Sequence, residues 1–141
     1  MKRRLLTLAS AACLAAAATP AAACLPPPPP AWEVWLGNQD TPMFLGRVGR
    51  IEVLPPAETE HFIVHRAGAE VSLLEVVQGR PTAATATVEG ATGVAIKLTG
   101  FTGPICTDYL NFKAGDFVVV VEGRGVYSPP PQLATLIEKY R

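Results

Sequence analysis

Beyond residue 42, apolar residues alternate with polar ones or form brief runs, which is typical of short β-strands separated by turns. Five segments follow this pattern: Met43–Val53, His61–His65, Glu70–Gln78, Ala84–Glu89 and Asp116–Glu122. Gly46 and Gly49 lie inside the first segment and favour a bulge or tight curvature, as a small barrel requires. The last segment contains a run of valines and is the best candidate for a buried strand.

Weaker signals fill the spaces between these segments. Pro55–Pro56 predicts a loop, because proline cannot donate to a ladder. Val94–Leu98 predicts an extension of the fourth segment or a strand beside it. Gly123 and Gly125 predict a turn that leads into Val126–Tyr127.

Two short helices are predicted at the ends of this region. Ala31–Leu36 predicts a helical turn with Trp32 and Trp35 on one face, where they pack in the core. An i, i+3, i+4, i+7 spacing predicts an amphipathic helix at the carboxyl end: Leu133, Leu136, Ile137 and Tyr140. Short strands with glycine turns and a terminal helix predict a mainly β fold, a small five-stranded barrel rather than a layered α/β domain.

The amino-terminal residues have the three parts of an export signal. Lys2–Arg4 is basic, Leu5–Ala18 is apolar but too short to span a bilayer, and Ala21–Ala23 supplies small residues for cleavage. The chain therefore divides into a cleaved signal peptide at residues 1–23, a proline-rich arm at 24–30 and one domain at 31–141. We expect the protein to be exported to a periplasmic or extracellular location.

Removal of the signal changes the charge of the chain. The whole sequence has 12 Lys plus Arg and 12 Asp plus Glu, and the signal contains three of the basic residues and no acidic one. The exported domain is therefore mildly acidic and has no basic cluster, which argues against nucleic-acid binding. It has no apolar run long enough to span a bilayer, so attachment to a membrane would need a lipid at Cys24.

Cleavage after Ala23 leaves Cys24 at the new terminus, with Cys106 as the second cysteine. An even pair in an oxidising compartment favours one disulfide, Cys24–Cys106, over two independent thiols. The prolines that follow, Pro26–Pro30, predict a stiff polyproline II arm about 15 Å long. We interpret this arm as lying on its own domain rather than as a ligand for a docking groove.

The order of several motifs resembles the netrin-like and tissue-inhibitor-of-metalloproteinases superfamily. They are Cys-x-x-Pro-Pro at Cys24, Phe44-Leu45-Gly46-Arg47-Val48 with Ile51-Glu52-Val53, Val71-x-Leu73-x-x-Val76-x-x-Gly79, and Cys106 followed by Phe112-x-x-Gly115-x-x-Val118. The resemblance extends from Cys24 to about Tyr127. It implies a five-stranded OB-type barrel whose terminal cysteine is joined to the barrel by a disulfide.

The resemblance also implies a function for the terminus. In the animal inhibitors the α-amine and carbonyl of the terminal cysteine bind the catalytic zinc of a protease. That role would fall on Cys24, and Leu25 would enter the specificity pocket. The chain departs from the inhibitors at Pro26, where they have a second cysteine, and it lacks their further cysteines. Many netrin-like modules bind protein partners without inhibiting proteases, so we expect a monomeric protein-interaction module, with metalloprotease inhibition through Cys24 as its candidate activity.

Cys24 is also a candidate lipid acceptor, since small residues precede it, although Ala21 stands where lipoprotein signals usually have leucine. A lipidated Cys24 cannot pair with Cys106. The alternative function is therefore a lipid-anchored envelope protein, in the outer or plasma membrane, with a structural or assembly role.

Enzymatic and metal chemistry find little support in the sequence. His61 and His65 lie four residues apart near glutamates, but there is no third histidine and no His-Glu-x-x-His motif, so we interpret them as solvated side chains. Neither serine after the signal, Ser72 or Ser128, lies in a nucleophile motif. We expect no catalytic residues, no metal and no cofactor.

Overall fold

Strands dominate the fold: of the residues that the structure describes, 47% lie in strands and 11% in helices. The computed structural model describes residues 26–97 and 105–141. The elements are helix α1 (Trp32–Trp35), strands β1 (Met43–Val48), β2 (Glu52–Glu58), β3 (Phe62–Gln78), β4 (Thr85–Ile96), β5 (Phe117–Val121) and β6 (Gly125–Tyr127), a 3-10 turn (Pro131–Leu133) and helix α2 (Ala134–Glu138).

All six strands form one antiparallel sheet that curls into a half-barrel. Its order is β2-β3-β1-β5-β6, and β4 pairs with the other edge of β3. β1 and β2 pair with the two halves of the same β3 edge, so they are two parts of one bent strand. Counted in this way the sheet has five strands. The predicted mainly β fold, a small barrel with a short carboxyl-terminal helix, is confirmed.

β3 is longer than the sequence predicted, because it joins His61–His65 and Glu70–Gln78 into one strand. The residues between them, Arg66–Ala69, pair with β4 throughout, and most of them also pair with β2. Ladders on both edges hold this stretch in the extended form despite its alanine and glycine content. Gly68 also makes room for its neighbours, since a Cβ there would lie 2.9 Å from the Val88 carbonyl oxygen.

The prediction of a loop at Pro55–Pro56 is wrong. Both prolines lie inside β2, with a register shift between Leu54 and Ala57. β2 is the outermost strand on its side of the described sheet, and a proline fits there because its missing N–H is not needed for a further ladder. The prediction failed because sequence alone does not distinguish an edge strand from a loop.

The glycine-rich start of the sheet is bent as the sequence predicted. The register between β1 and β3 shifts between Leu45 and Gly46. A Cβ at Gly46 would lie 2.5 Å from a methyl carbon of Val71, so glycine allows the two strands to approach closely. The chain then leaves the ladder at Gly49 and re-enters it as β2.

β5 is buried on both faces, which confirms the prediction for the valine run. Val118 and Val120 belong to one apolar cluster with Phe44 and Val71. Alternate residues of a strand point to opposite faces, and Val119 and Val121 accordingly pack in a second cluster. The second cluster also contains Met43 and Leu133, so the predicted terminal helix region closes it.

The carboxyl-terminal residues are held against β3 by polar contacts as well. The Tyr140 hydroxyl donates to Glu75 Oε2 (2.6 Å), and Lys139 Nζ lies 2.8 Å from the same oxygen. Arg47 Nη2 donates to the Tyr140 carbonyl oxygen (2.7 Å). Lys139 first, and then the Tyr140 hydroxyl, hold the pKa of the Glu75 carboxyl below its ordinary value. None of the helices in the described part of the chain has the length and apolar character needed to cross a membrane.

Candidate functional site

The two residues predicted to contact a partner, Cys24 and Leu25, lie outside the described residues. Description begins at Pro26, and the four prolines Pro26–Pro29 are exposed, while Pro30 is half-buried. Most of the described arm is therefore exposed to solvent, and its interpretation as lying on the domain stays a prediction. Its contact with the domain, as far as the structure describes it, begins at Pro30.

An aromatic cluster anchors the base of this arm. Trp32 and Trp35 are in edge contact, with ring centroids 5.5 Å apart, and each also contacts Tyr127 of β6, at 5.8 and 5.3 Å. Both tryptophans are half-buried and pack against the cluster that contains Met43 and Leu133. The predicted core-packing role of the two tryptophans is confirmed. Such aromatic contacts stabilise beyond the burial of their apolar area. The residues that follow the arm are therefore held in place on the domain.

A buried glutamine fixes the loop that follows α1. The Gln78 side chain, at 8% exposure, accepts a hydrogen bond from the Gly37 N–H (2.8 Å). Its Nε2 donates to the carbonyl oxygens of Trp35 (2.8 Å), Asn38 (2.7 Å) and Thr41 (2.8 Å). Both ends of the amide are thereby satisfied. Gln78 thus ties the whole segment between α1 and β1 to the end of β3.

The segment that carries Cys106 crosses close to β4 at Gly90. A Cβ at Gly90 would lie 2.4 Å from the Leu110 backbone nitrogen, so a side chain there would block the crossing. Ala91 holds the segment in place: its N–H donates to the Asp108 carbonyl (2.8 Å), and its own carbonyl accepts from the Leu110 N–H (3.0 Å). The two segments thus form a short parallel bridge, in which Tyr109 lies opposite Ala91.

Cys106 itself is disulfide-bonded. Its predicted partner, Cys24, lies outside the described residues, so the pairing of these two cysteines stays a prediction. If the bond joins them, the chain terminus is held beside the crossing segment at Gly90 rather than at the free end of a flexible arm.

The histidines give no sign of a metal site. His65 is exposed, and His61 is half-buried with its Nε2 4.0 Å from a Glu60 carboxylate oxygen. Within residues 26–97 and 105–141, no group of three or more His, Cys, Asp or Glu side chains could hold a metal ion.

A groove lies on the outer face of the sheet, where Gly68 has no side chain to fill it. Its volume is about 410 Å³, and side chains of both charges line it, among them Arg50, Glu52 and Glu70. Glu89 at its rim is already paired with Arg66, whose Nη2 lies 2.7 Å away. The mixed charge of the groove favours no particular ligand.

Comparison with known proteins adds no relative: no protein-family model, no curated protein and no solved structure matches the chain. The candidate site therefore depends on the residues alone. The sequence did not predict the roles of three residues that hold the site in place: Gln78, Gly90 and Tyr127. The only sequence signal for them was weak, a glycine inside a strand pattern at Gly90.

Proposed function

We propose that the chain, once exported, is a protein-interaction module whose contact region is its amino-terminal end, Cys24 and Leu25. The specific activity we propose is inhibition of a zinc metalloprotease. The observation that carries the proposal is the geometry of the arm, in which Pro26–Pro29 are exposed while the residues directly after them are anchored. The aromatic cluster and Gln78 fix one end of the arm, and a disulfide between Cys24 and Cys106 would fix the other end, so the terminus would be presented in one defined position.

Stiffness of the arm favours tight binding by the terminus. Proline fixes φ, and a run of prolines keeps the polyproline II form in the free protein. A terminus presented in one conformation loses less conformational entropy on binding than a flexible one. The trio Trp32, Trp35 and Tyr127 prevents the base of the arm from swinging.

The chemistry of inhibition requires an unmodified terminus. A catalytic zinc keeps one coordination position open for water or substrate. The uncharged α-amine and the carbonyl oxygen of Cys24 can displace that water, while Leu25 enters the adjoining pocket of the protease. A disulfide between Cys24 and Cys106 occupies the thiol and leaves the amine free.

The disulfide bond at Cys106 supports this proposal over the lipid-anchored alternative. A thioether-linked lipid at Cys24 would remove the only other cysteine that remains after signal cleavage. Cys106 would then have no partner within its own chain.

The test is a titration of the mature protein, starting at Cys24 with its amine verified free, against a panel of zinc metalloproteases. The matched control is the same protein acetylated at the α-amine, which keeps the fold, the disulfide and Leu25. We expect inhibition by the free form and a loss of at least about a hundredfold on acetylation, since the amine is a zinc ligand. Absence of inhibition at micromolar concentration, or equal inhibition by both forms, would refute the proposal.

A further inference from the structure

One edge of β4 carries backbone groups with which no strand in the described part of the chain pairs. Leu73 N–H donates to the Ala84 carbonyl (2.9 Å), and the pairing of β3 with β4 then continues without a shift as far as Arg66 opposite Ala91. Alternate residues of an antiparallel strand direct their N–H and C=O groups to the same side. The backbone N–H and C=O groups of residues 84, 86, 88 and 90 therefore face β3, and those of residues 85, 87 and 89 face away from it.

The backbone of Ala91 shows that the edge of β4 facing away from β3 can form hydrogen bonds with another segment. Being an odd-numbered residue, it directs its N–H and C=O away from β3, and there they bond to Asp108 (2.8 Å) and Leu110 (3.0 Å). Thr85, Thr87 and Glu89 continue the same edge, and no strand of the described chain pairs with them there.

The unpaired edge forms one wall of a cleft, here called the β4–β6 cleft. Two cavities make up the cleft, of about 390 and 240 Å³, and both are lined by Thr87, Gly125 and Val126. β6 forms the opposite wall, and within residues 26–97 and 105–141 the only strand that pairs with it is β5. The floor is apolar because Phe44 and Val120 of the core cluster line it.

An extended peptide fits both features of the β4–β6 cleft. Its N–H and C=O groups repeat every two residues, at about 6.8 Å, and match the spacing of Thr85, Thr87 and Glu89. Its alternate side chains would point to the apolar floor. A helix satisfies its own backbone groups and would leave the edge unpaired.

The charged side chains at the β4–β6 cleft favour a particular type of residue at one end of such a peptide. Arg124 lines the cavity near Thr85, and no ion pair is found for it among residues 26–97 and 105–141; its guanidinium lies over the Trp35 ring at 5.2 Å. The neighbouring Glu122 carboxylate is occupied by the backbone and hydroxyl of Thr82. Glu122 keeps its negative charge, but within the described residues no carboxylate pairs with the Arg124 guanidinium, so an acidic peptide residue can accept hydrogen bonds from Arg124 at this end.

We propose that the β4–β6 cleft binds an extended peptide of a protein partner, which adds as a strand to β4 along Thr85–Glu89. Its small apolar side chains lie on the floor and an acidic residue lies near Arg124. The proposal concerns residues other than Cys24 and Leu25, and it does not depend on protease inhibition.

The first test uses synthetic hexapeptides with Val, Ile or Ala at alternate positions, Thr between them, and Asp at one end. We expect members of this set to bind with a Kd on the order of 1 mM or tighter. Hydrogen exchange should slow at the Thr87 amide on binding, while the Ala86 and Val88 amides, already in the ladder, stay unchanged. Absence of binding by every peptide, or protection elsewhere only, would overturn the proposal.

Backbone pairing is tested on the wild-type protein with two N-methylated forms of the best peptide. Each form carries methyl groups on one alternate set of amides, so only one form can still donate to β4. We expect one form to bind as before and the other at least about tenfold more weakly, since a lost bond leaves an edge acceptor unsatisfied. Equal binding of both forms would overturn the proposal.

Protein variants give an independent test. Thr87→Pro removes an edge N–H that β3 does not use, and Thr87→Val is the matched control that keeps it. We expect at least about tenfold weaker binding for the proline variant and little change for the valine variant. Arg124→Gln should weaken only peptides that carry Asp. Self-association of the wild type that Thr87→Pro abolishes would instead identify a second copy of the chain as the occupant, and would overturn the proposal.

Discussion

Replacement of Gln78 by methionine is the sharpest test of how the amino-terminal arm is held. Methionine has nearly the length of glutamine but can neither donate nor accept the bonds that the amide makes. The amide has one accepted bond, from Gly37, and its two N–H groups serve three carbonyls. At about 1 kcal/mol for each satisfied group, with a further cost for buried groups left unpaired, we expect a loss of about 2–4 kcal/mol.

The loss of stability in Gln78→Met should first affect the segment that carries the two tryptophans. Both tryptophans of the chain, Trp32 and Trp35, lie in the segment that Gln78 holds. In Gln78→Met this segment should detach before the sheet unfolds, so tryptophan emission should shift to the red at lower urea than the circular dichroism of the strands. In the wild type the two transitions should coincide.

The assay is equilibrium unfolding in urea, followed by both signals, with Gln132→Met as the matched control. Gln132 is exposed and lies in the 3-10 turn, so its replacement should change the free energy of unfolding by less than about 0.5 kcal/mol. A loss below about 1 kcal/mol in Gln78→Met, or coincident transitions in that variant, would show that the Gln78 amide does not hold this segment in place.

Two further predictions concern the crossing segment and the carboxyl terminus. Gly90→Ala places a Cβ 2.4 Å from the Leu110 nitrogen and should cost more than about 2 kcal/mol, whereas Gly93→Ala, with no atom within 4 Å, should be near neutral; similar urea midpoints for the two variants would contradict this. Because the folded-state pKa of Glu75 is lowered, chiefly by Lys139, its contribution to stability is present above the unfolded-state pKa and is lost as pH falls through the folded-state pKa. The stability difference between wild type and Glu75→Gln should therefore shrink on acidification, and a difference independent of pH would show that the ion pair is unimportant.

The strands could be predicted from sequence wherever their own side chains determine burial. The valine run of β5 and the glycines of β1 gave correct elements, because a two-sided apolar strand and a close strand approach have direct residue signatures. The Pro55–Pro56 prediction failed because an edge strand tolerates proline, and edge position depends on which strands pair, a property of the whole sheet. The continuity of β3 through Arg66–Ala69 likewise comes from partners on its edges.

The candidate site was predictable only in part. The cysteine count and the predicted export signal made Cys24 and Cys106 candidates, and the structure bears only on Cys106, which is disulfide-bonded. The fixing of the arm was not predictable, because Gln78 lies 37 residues from Thr41 in sequence, and no local pattern indicates that its amide is buried. The β4–β6 cleft was missed for a similar reason: an unpaired edge exists only once the sheet has closed elsewhere.

The most direct test of the account is the intact mass of the native, exported protein before and after reduction and alkylation. We predict a species that begins at Cys24, lacks the two hydrogens removed by one disulfide, and accepts alkyl groups on Cys24 and Cys106 only after reduction. That result would leave the α-amine free to bind a protease zinc. A species heavier by a diacylglyceryl group, with a thiol at Cys106 that reacts without reduction, would contradict the account and identify a lipid-anchored protein.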